Sequence, residues 1–184
     1  ADRKVFEQAV RRAFERCAMQ PAEIDLLLGG DLLNQIITAN FAARELAIPF
    51  LGLYGACSTM AESLLLGSML IDGGYAGHVA CAATSHFSTA ERQYRFPLEM
   101  GGQTTPTAQR TVTGAGSSLL VEAGYAGGAQ FRHIFVTGGT IGRVVDLGIT
   151  DANNMGAAMA PAAADTLAAH LREQSRAVSD YDMI

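Results

Sequence analysis

The sequence predicts an α/β fold, a parallel sheet with helices packed on it. Three observations carry this. Apolar residues near the start recur at helical spacing, Val5, Phe6, Ala9, Val10, Ala13, Phe14 and Cys17, with arginines and glutamates between them. Near-continuous apolar runs at 24–29, 50–54 and 78–84 have the length and composition of strands buried on both faces. Helix and strand patterns alternate as far as residue 84, and strands separated by helices pair in parallel.

The elements follow in order. The first amphipathic helix ends before a turn at Pro21, and the strand at 24–29 places Asp31 just past its end. A second helix is predicted over 32–47 and a second buried strand over 50–54. A third helix over 59–71 has almost no polar face and is closed by Asp72-Gly73-Gly74, a C-terminal glycine signal. The third strand is 78–84. Residues 85–112 are polar, carry Arg92, Arg95 and Arg110, and contain Pro97, Gly101, Gly102 and Pro106. They read as a long loop, a feature compact domains mostly reserve for function. Segments 116–123 and 132–147, rich in Val, Ile, Phe and Thr, read as strands joined by a turn at 124–128. A polar stretch at 151–155 leads into a last helix, 156–173.

Composition narrows the function. The chain of 184 residues is 49% apolar and 17% charged, enough for one well-packed domain and too apolar for disorder. The net charge is −5, with both signs interspersed and no basic stripe, which argues against binding driven by nucleic-acid phosphates. Lys4 is the one lysine; every other basic residue of the Lys/Arg set is arginine, the side chain suited to planar carboxylates. Cys17, Cys57 and Cys81 are odd in number and match neither a metal site nor a disulfide framework. The charged first residues do not read as a signal peptide. The longest apolar stretch, 60–71, is too short to span a bilayer and contains Glu62. The expectation is a soluble chain, with peripheral membrane association left open.

A weak internal repeat is present. Shifting the early segment by about 157 residues superimposes Val10 on Leu167, Phe14 on Leu171 and Asp25 on Asp182. On this reading the chain is one half of a duplicated fold, 156–184 opens a second copy, and both ends are truncated.

The most informative stretch is Gly55-Ala56-Cys57-Ser58-Thr59, between a buried strand and an apolar helix. A thiol in the first turn of a helix sits at the positive end of the helix dipole, which suits a nucleophile or an anion site. The residues alone leave a second reading open, a small apolar side chain filling a tight turn. Two glycine patterns are rejected as cofactor loops. Gly138-Gly139-Thr140-Ile141-Gly142 and Gly114-Ala115-Gly116 both run into β-type sequence, whereas a dinucleotide fingerprint runs from strand through glycines into helix. No cofactor is expected.

These residues carry a family likeness. The half-fold with a cysteine after Gly55-Ala56 resembles the thiolase and β-ketoacyl synthase superfamily. Within it the chain is more similar to the stage V sporulation AD proteins of spore-forming bacteria. The likeness runs through Gly30-Asp31-Leu32-Leu33-Asn34-Gln35, Ile48-Pro49-Phe50-Leu51, Thr89-Ala90-Glu91-Arg92-Gln93, Gly101-Gly102-Gln103, Thr111-Val112-Thr113-Gly114, Asp146-Leu147-Gly148-Ile149-Thr150-Asp151 and Met159-Ala160-Pro161-Ala162-Ala163-Ala164-Asp165.

The resemblance implies a layered thiolase-like fold with a mixed sheet. It also implies a role in loading dipicolinic acid, with calcium, into the developing spore, beside other stage V sporulation A proteins at the inner spore membrane. Turnover is not expected, because the resemblance places the catalytic partners of the cysteine in a second half. The alternative is an acyltransferase of the thiolase type with Cys57 as nucleophile. Candidate ligand-binding residues are Cys57, Ser58, Thr59, His86, Arg92, Arg95, Asp31 and Asn34. Arg92 and Arg95 are three apart and suit a dicarboxylate; as alternatives they are solvated surface arginines or a dimer contact. His86 also reads as a hydrogen-bonded structural histidine, and Asp31, Asn34 and Asp146 are also explained by capping and turn chemistry. The other histidines, His78, His133 and His170, lack metal spacing. A homodimer is expected, with the strand at 78–84 pairing with its own copy.

Overall fold

The structure, a computed structural model, describes residues 2–94, 111–125, 134–151 and 154–184. They belong to two compact units, residues 1–102 with 111–135, and residues 103–110 with 136–184.

The first unit runs α1 (Asp2–Cys17), β1 (Leu26–Gly30), α2 (Ile37–Leu46), β2 (Phe50–Gly52), α3 (Thr59–Asp72), β3 (His78–Ser85), α4 (Phe87–Tyr94) and β4 (Gly114–Val121). The four strands form one sheet in the order β2-β1-β3-β4. The first three are parallel and β4 runs antiparallel to β3, so the sheet is mixed.

Side-chain alternation along the strands divides the core in two. Leu27, Ala80 and Ala82 pack with Phe6, Val10 and Phe14 of α1 and with Ala39, Ala42, Ala43 and Leu46 of α2. Leu28, Val79 and Cys81 form the other cluster, with Leu53 and the half-buried Leu64 and Leu66 of α3. Leu27 and Leu28 are both 0% exposed, which is why β1 reads as an unbroken apolar run. Helix α3 turns a stripe of small residues, Thr59, Ser63 and Gly67, inward. A Cβ on Gly67 would meet Leu120, Val79 and the Cys81 sulfur, so the helix approaches the sheet closely. As the glycine signal predicts, α3 ends with the Gly73 N–H donating to Met69 O at 2.9 Å and with Gly74 at φ +73°.

Four expectations need correction. The helix predicted from residue 32 begins at Ile37, because Gln35 (φ 61°) and Ile36 (φ 45°) are left-handed and break it. The loop predicted over 85–112 contains α4; its 95–110 portion lies outside the described residues. The strand predicted over 132–147 is absent from its described portion, 134–147. Ile134 is 92% and Val144 95% exposed, and β-type composition alone does not make a strand without a neighbour to pair with. Finally, β3 cannot pair with its own copy, because β1 occupies one of its edges and β4 the other.

In the second unit, α5 (Met155–Glu173) is capped by Asn154, whose Oδ1 accepts the Ala157 N–H at 3.1 Å. Arg143 donates two hydrogen bonds to Asp165, Nε to Oδ2 at 3.0 Å and Nη2 to Oδ1 at 2.8 Å. His170 lies between the Thr140 hydroxyl at 3.0 Å and the Tyr181 hydroxyl at 2.8 Å.

The exits of α1 and α5 have the same backbone chemistry. Met19 N–H donates to Phe14 O and Arg176 N–H to Leu171 O; Ala18 and Ser175 are both at φ 53°. The Gln20 N–H donates to the Glu23 carboxylate at 2.6 Å, and the Ala177 N–H to the Asp180 carboxylate at 2.9 Å. A 3₁₀ turn follows each helix, Pro21–Glu23 and Val178–Asp180.

Candidate functional site

Parallel strands deliver their following loops to one edge of a sheet. In open α/β sheets that edge is where ligands bind. Here the exits of β2, β1 and β3 carry Tyr54 to Thr59, Asp31 to Asn34, and His86 respectively. Since β1 lies between the other two, the β2 and β3 exits are separated by two strand spacings, about 10 Å.

The β2 exit is a tight turn into α3. Ala56 is left-handed at φ 48°, and Ala56–Ser58 forms a 3₁₀ turn that runs directly into the helix. The Ser58 hydroxyl donates back to Gly55 O at 2.8 Å. Cys57 is exposed. Thr59, the first residue of α3, is 1% exposed, and its hydroxyl has no hydrogen-bond partner among the described residues. Gly55 is closely packed, and a Cβ there would meet the ends of the Glu62 and Ser58 side chains. The turn therefore sets an accessible thiol before the N-terminus of a fourteen-residue helix, where backbone N–H groups favour an anionic group.

Asp31 follows β1 and is 2% exposed. Its Oδ1 accepts the Leu33 N–H and its Oδ2 the Ala39 N–H, each at 2.7 Å. Burial pushes its carboxyl above the usual range and the charge of Asp2 adds to this, while the backbone N–H donors of Ala39, Leu33 and Thr38 work in the opposite sense. Asp2 itself accepts the hydroxyls of Thr38 and Thr84, both at 3.2 Å. Asn34 is exposed, and its Oδ1 accepts the Tyr54 hydroxyl at 2.6 Å, which joins the β1 and β2 exits.

His86 precedes α4. Its ring Nδ1 lies 3.2 Å from the Ser88 hydroxyl, and its carbonyl accepts the Ala90 N–H at 3.0 Å. The β3 exit is anchored to the residues before β4, with the Ser85 hydroxyl donating to Val112 O and the Phe87 N–H to the Thr113 hydroxyl.

The fold thus collects Asp31, Asn34, Cys57, Ser58, Thr59 and His86 at one sheet edge. Arg92 lies on α4, but its side chain, like Arg95, Arg110 and His133, is outside the described residues. Asp146 makes a local turn, its Oδ1 accepting the Gly148 N–H at 2.8 Å, and His78 packs edge-on against Tyr125. Two residues that sequence reasoning did not single out enter the site. Tyr54 was legible as a lone aromatic hydroxyl at a strand exit. Glu62 had no such signal, because only the fold of the turn lays its carboxylate against Gly55.

Comparison with known proteins agrees with this architecture. The family model described as Stage V sporulation protein AD matches residues 1–184. Stage V sporulation protein AD of Bacillus subtilis is 48% identical over all of this chain, which spans 52% of that relative's length. Among solved structures, a variant of OleA from Xanthomonas campestris superimposes with a TM-score of 0.71 at 14% identity, covering 98% of this chain and 59% of that one. The 3-oxoacyl-[acyl-carrier-protein] synthase III of Aquifex aeolicus gives 0.53 at 18% identity, covering 67% and 39%. At these identities the structural matches define a thiolase-like fold.

Proposed function

Because the chain belongs to the stage V sporulation protein AD family, we propose that it serves spore formation as a binding protein for dipicolinic acid, supporting its uptake into the developing spore without turning it over. The observation that carries this is the Cys57 turn. It sets an exposed thiol at the positive end of the α3 dipole, on a sheet edge suited to a carboxylate. Dipicolinate is a rigid planar dicarboxylate, and its second carboxylate suits an arginine; Arg92 and Arg95 are the candidates. We assign the protein to the inner spore membrane as a peripheral component beside other stage V sporulation A proteins, and as a homodimer. Among the described residues no helix is long and apolar enough to cross a membrane. Calorimetry of the full chain with dipicolinate is expected to give a saturable heat that weakens in Cys57→Trp, which blocks the turn. Absence of heat at millimolar dipicolinate would overturn the reading.

The exposure of Cys57 in this fold favours one second reading, acyl transfer. The Cys57 thiolate would attack a thioester carbonyl, take the acyl group on its sulfur and release the thiol. Incubation with acyl-CoA and intact-mass measurement decides between the two. An acyl adduct lost in Cys57→Ala favours transfer, and an unmodified chain favours binding alone.

A further inference from the structure

The buried Asp31 carboxylate spans a turn whose backbone is strained. Its two oxygens hold Leu33 and Ala39, and between them Gln35 and Ile36 are left-handed, a conformation a β-branched residue rarely adopts. Asn34 lies inside this loop and holds the Tyr54 hydroxyl at 2.6 Å. Tyr54 is three residues before Cys57.

We propose that Asp31 is a positioning residue for the strand-exit site: without touching ligand, its carboxylate fixes the turn that lets Asn34 hold Tyr54 at the approach to Cys57. The proposal rests on reading the strand exits as the ligand site. Its chemistry makes the approach sensitive to protons, because a carboxyl oxygen that takes up a proton accepts less well from its backbone N–H donors. The charge facing Asp31 is that of Asp2 on α1. Of its neighbours on α1, Arg3 reaches Glu45 at 3.8 Å and Lys4 is exposed. On α2, Thr38 is bonded to Asp2 and Arg44 to Glu45. From β3 comes the Thr84 hydroxyl, and His86 beyond it is engaged with Ser88. Asp2 thus adds its negative charge to the effect of burial, so the Asp31 carboxyl takes up a proton more readily than an ordinary aspartate.

The test follows the Asp31 carboxyl and Tyr54 ring resonances of the isotope-labelled full chain from about pH 8 to about pH 4. The two are expected to move with a common midpoint above that of an ordinary aspartate. In Asn34→Ala the Tyr54 response is expected to vanish while Asp31 still titrates. In Asp31→Asn the ring is expected to show its acid-form shift throughout, with dipicolinate affinity falling about tenfold at neutral pH. A Tyr54 ring indifferent to the Asp31 titration, or one that responds equally in Asn34→Ala, overturns the proposal. The wild-type titration decides even if Asp31→Asn fails to fold. The resonances need no ligand, so failure of dipicolinate to bind would remove the ligand reading while the Asp31–Tyr54 linkage is judged separately.

Discussion

Gly30 lies against the backbone carbonyl of Leu53, with no room for a side chain between them. The contact joins the ends of β1 and β2 just before both chains leave the sheet for the site, and the Leu53 N–H donates to Gly29 O at 2.9 Å beside it. Gly52 is also close-packed, but against the Cδ1 end of Ile36 rather than backbone. Gly30→Ala therefore has to push neighbouring strands away from each other and is expected to cost about 2–4 kcal/mol. Gly52→Ala only has to turn a side-chain tip and is expected to cost about 1 kcal/mol. Chemical denaturation of both variants checks the order, and a Gly52 variant as damaged as the Gly30 variant would contradict it.

Asp25 clips the starts of β1 and β3 together, accepting the Gly77 N–H at 2.8 Å and the His78 N–H at 2.9 Å. These backbone donors, His78 first, hold its carboxyl below the usual range. A lowered folded value means that Asp25 stabilises the fold above its unfolded value near 4 and loses that effect as pH falls through the folded one. Asp25→Ala is expected to cost about 1 kcal/mol at neutral pH, the exposed position keeping the effect modest. Its stability curve is expected to converge on the wild type in acid. A gap that stays constant down to about pH 2 would show that the carboxylate charge is irrelevant.

The three cysteines differ sharply in environment. Cys57 is exposed and Cys17 half-buried. Cys81 is 0% exposed, and burial pushes its thiol up to about 11 while it donates to Ser63 O at 3.2 Å. Alkylation of the native chain near pH 8, read by peptide mapping, is expected to modify Cys57 first, then Cys17, with Cys81 reacting only on unfolding. Early labelling of Cys81 would mean that β3 opens more readily than its burial implies.

Thr59 buries a hydroxyl that has no partner among the described residues. Thr59→Val keeps the shape and removes that group, so it is expected to stabilise the chain by about 1 kcal/mol. Under the binding reading dipicolinate affinity is expected to stay unchanged, because the hydroxyl is buried and turned toward the sheet. Thermal denaturation with and without dipicolinate checks both. A loss of stability without ligand would show that the hydroxyl is satisfied in solution.

Much of the site was legible in order along the chain. A buried strand, a run of small residues and an apolar helix announce the Cys57 turn, because each is a local pattern. Asp31 was visible only as a polar residue past a strand. That its oxygens are spent on Leu33 and Ala39, and that Asn34 reaches Tyr54, depends on a left-handed pair no propensity predicts. Ile36 adopts that conformation with its side chain in the space left by Gly30 and Gly52 on two different strands.

By itself the sequence determined the layers of the first unit. Hydrophobic period and run length record how each segment meets water, so α1, α3 and the three parallel strands were readable within a few residues of their ends. Tertiary structure alone decided which strands are neighbours, that β4 runs antiparallel, that β3 has no free edge, and that the β-rich stretch at 134–147 forms no strand. Pairing is a relation between distant segments. A chain's local pattern shows what a residue avoids, but its partner is settled only when the whole sheet assembles.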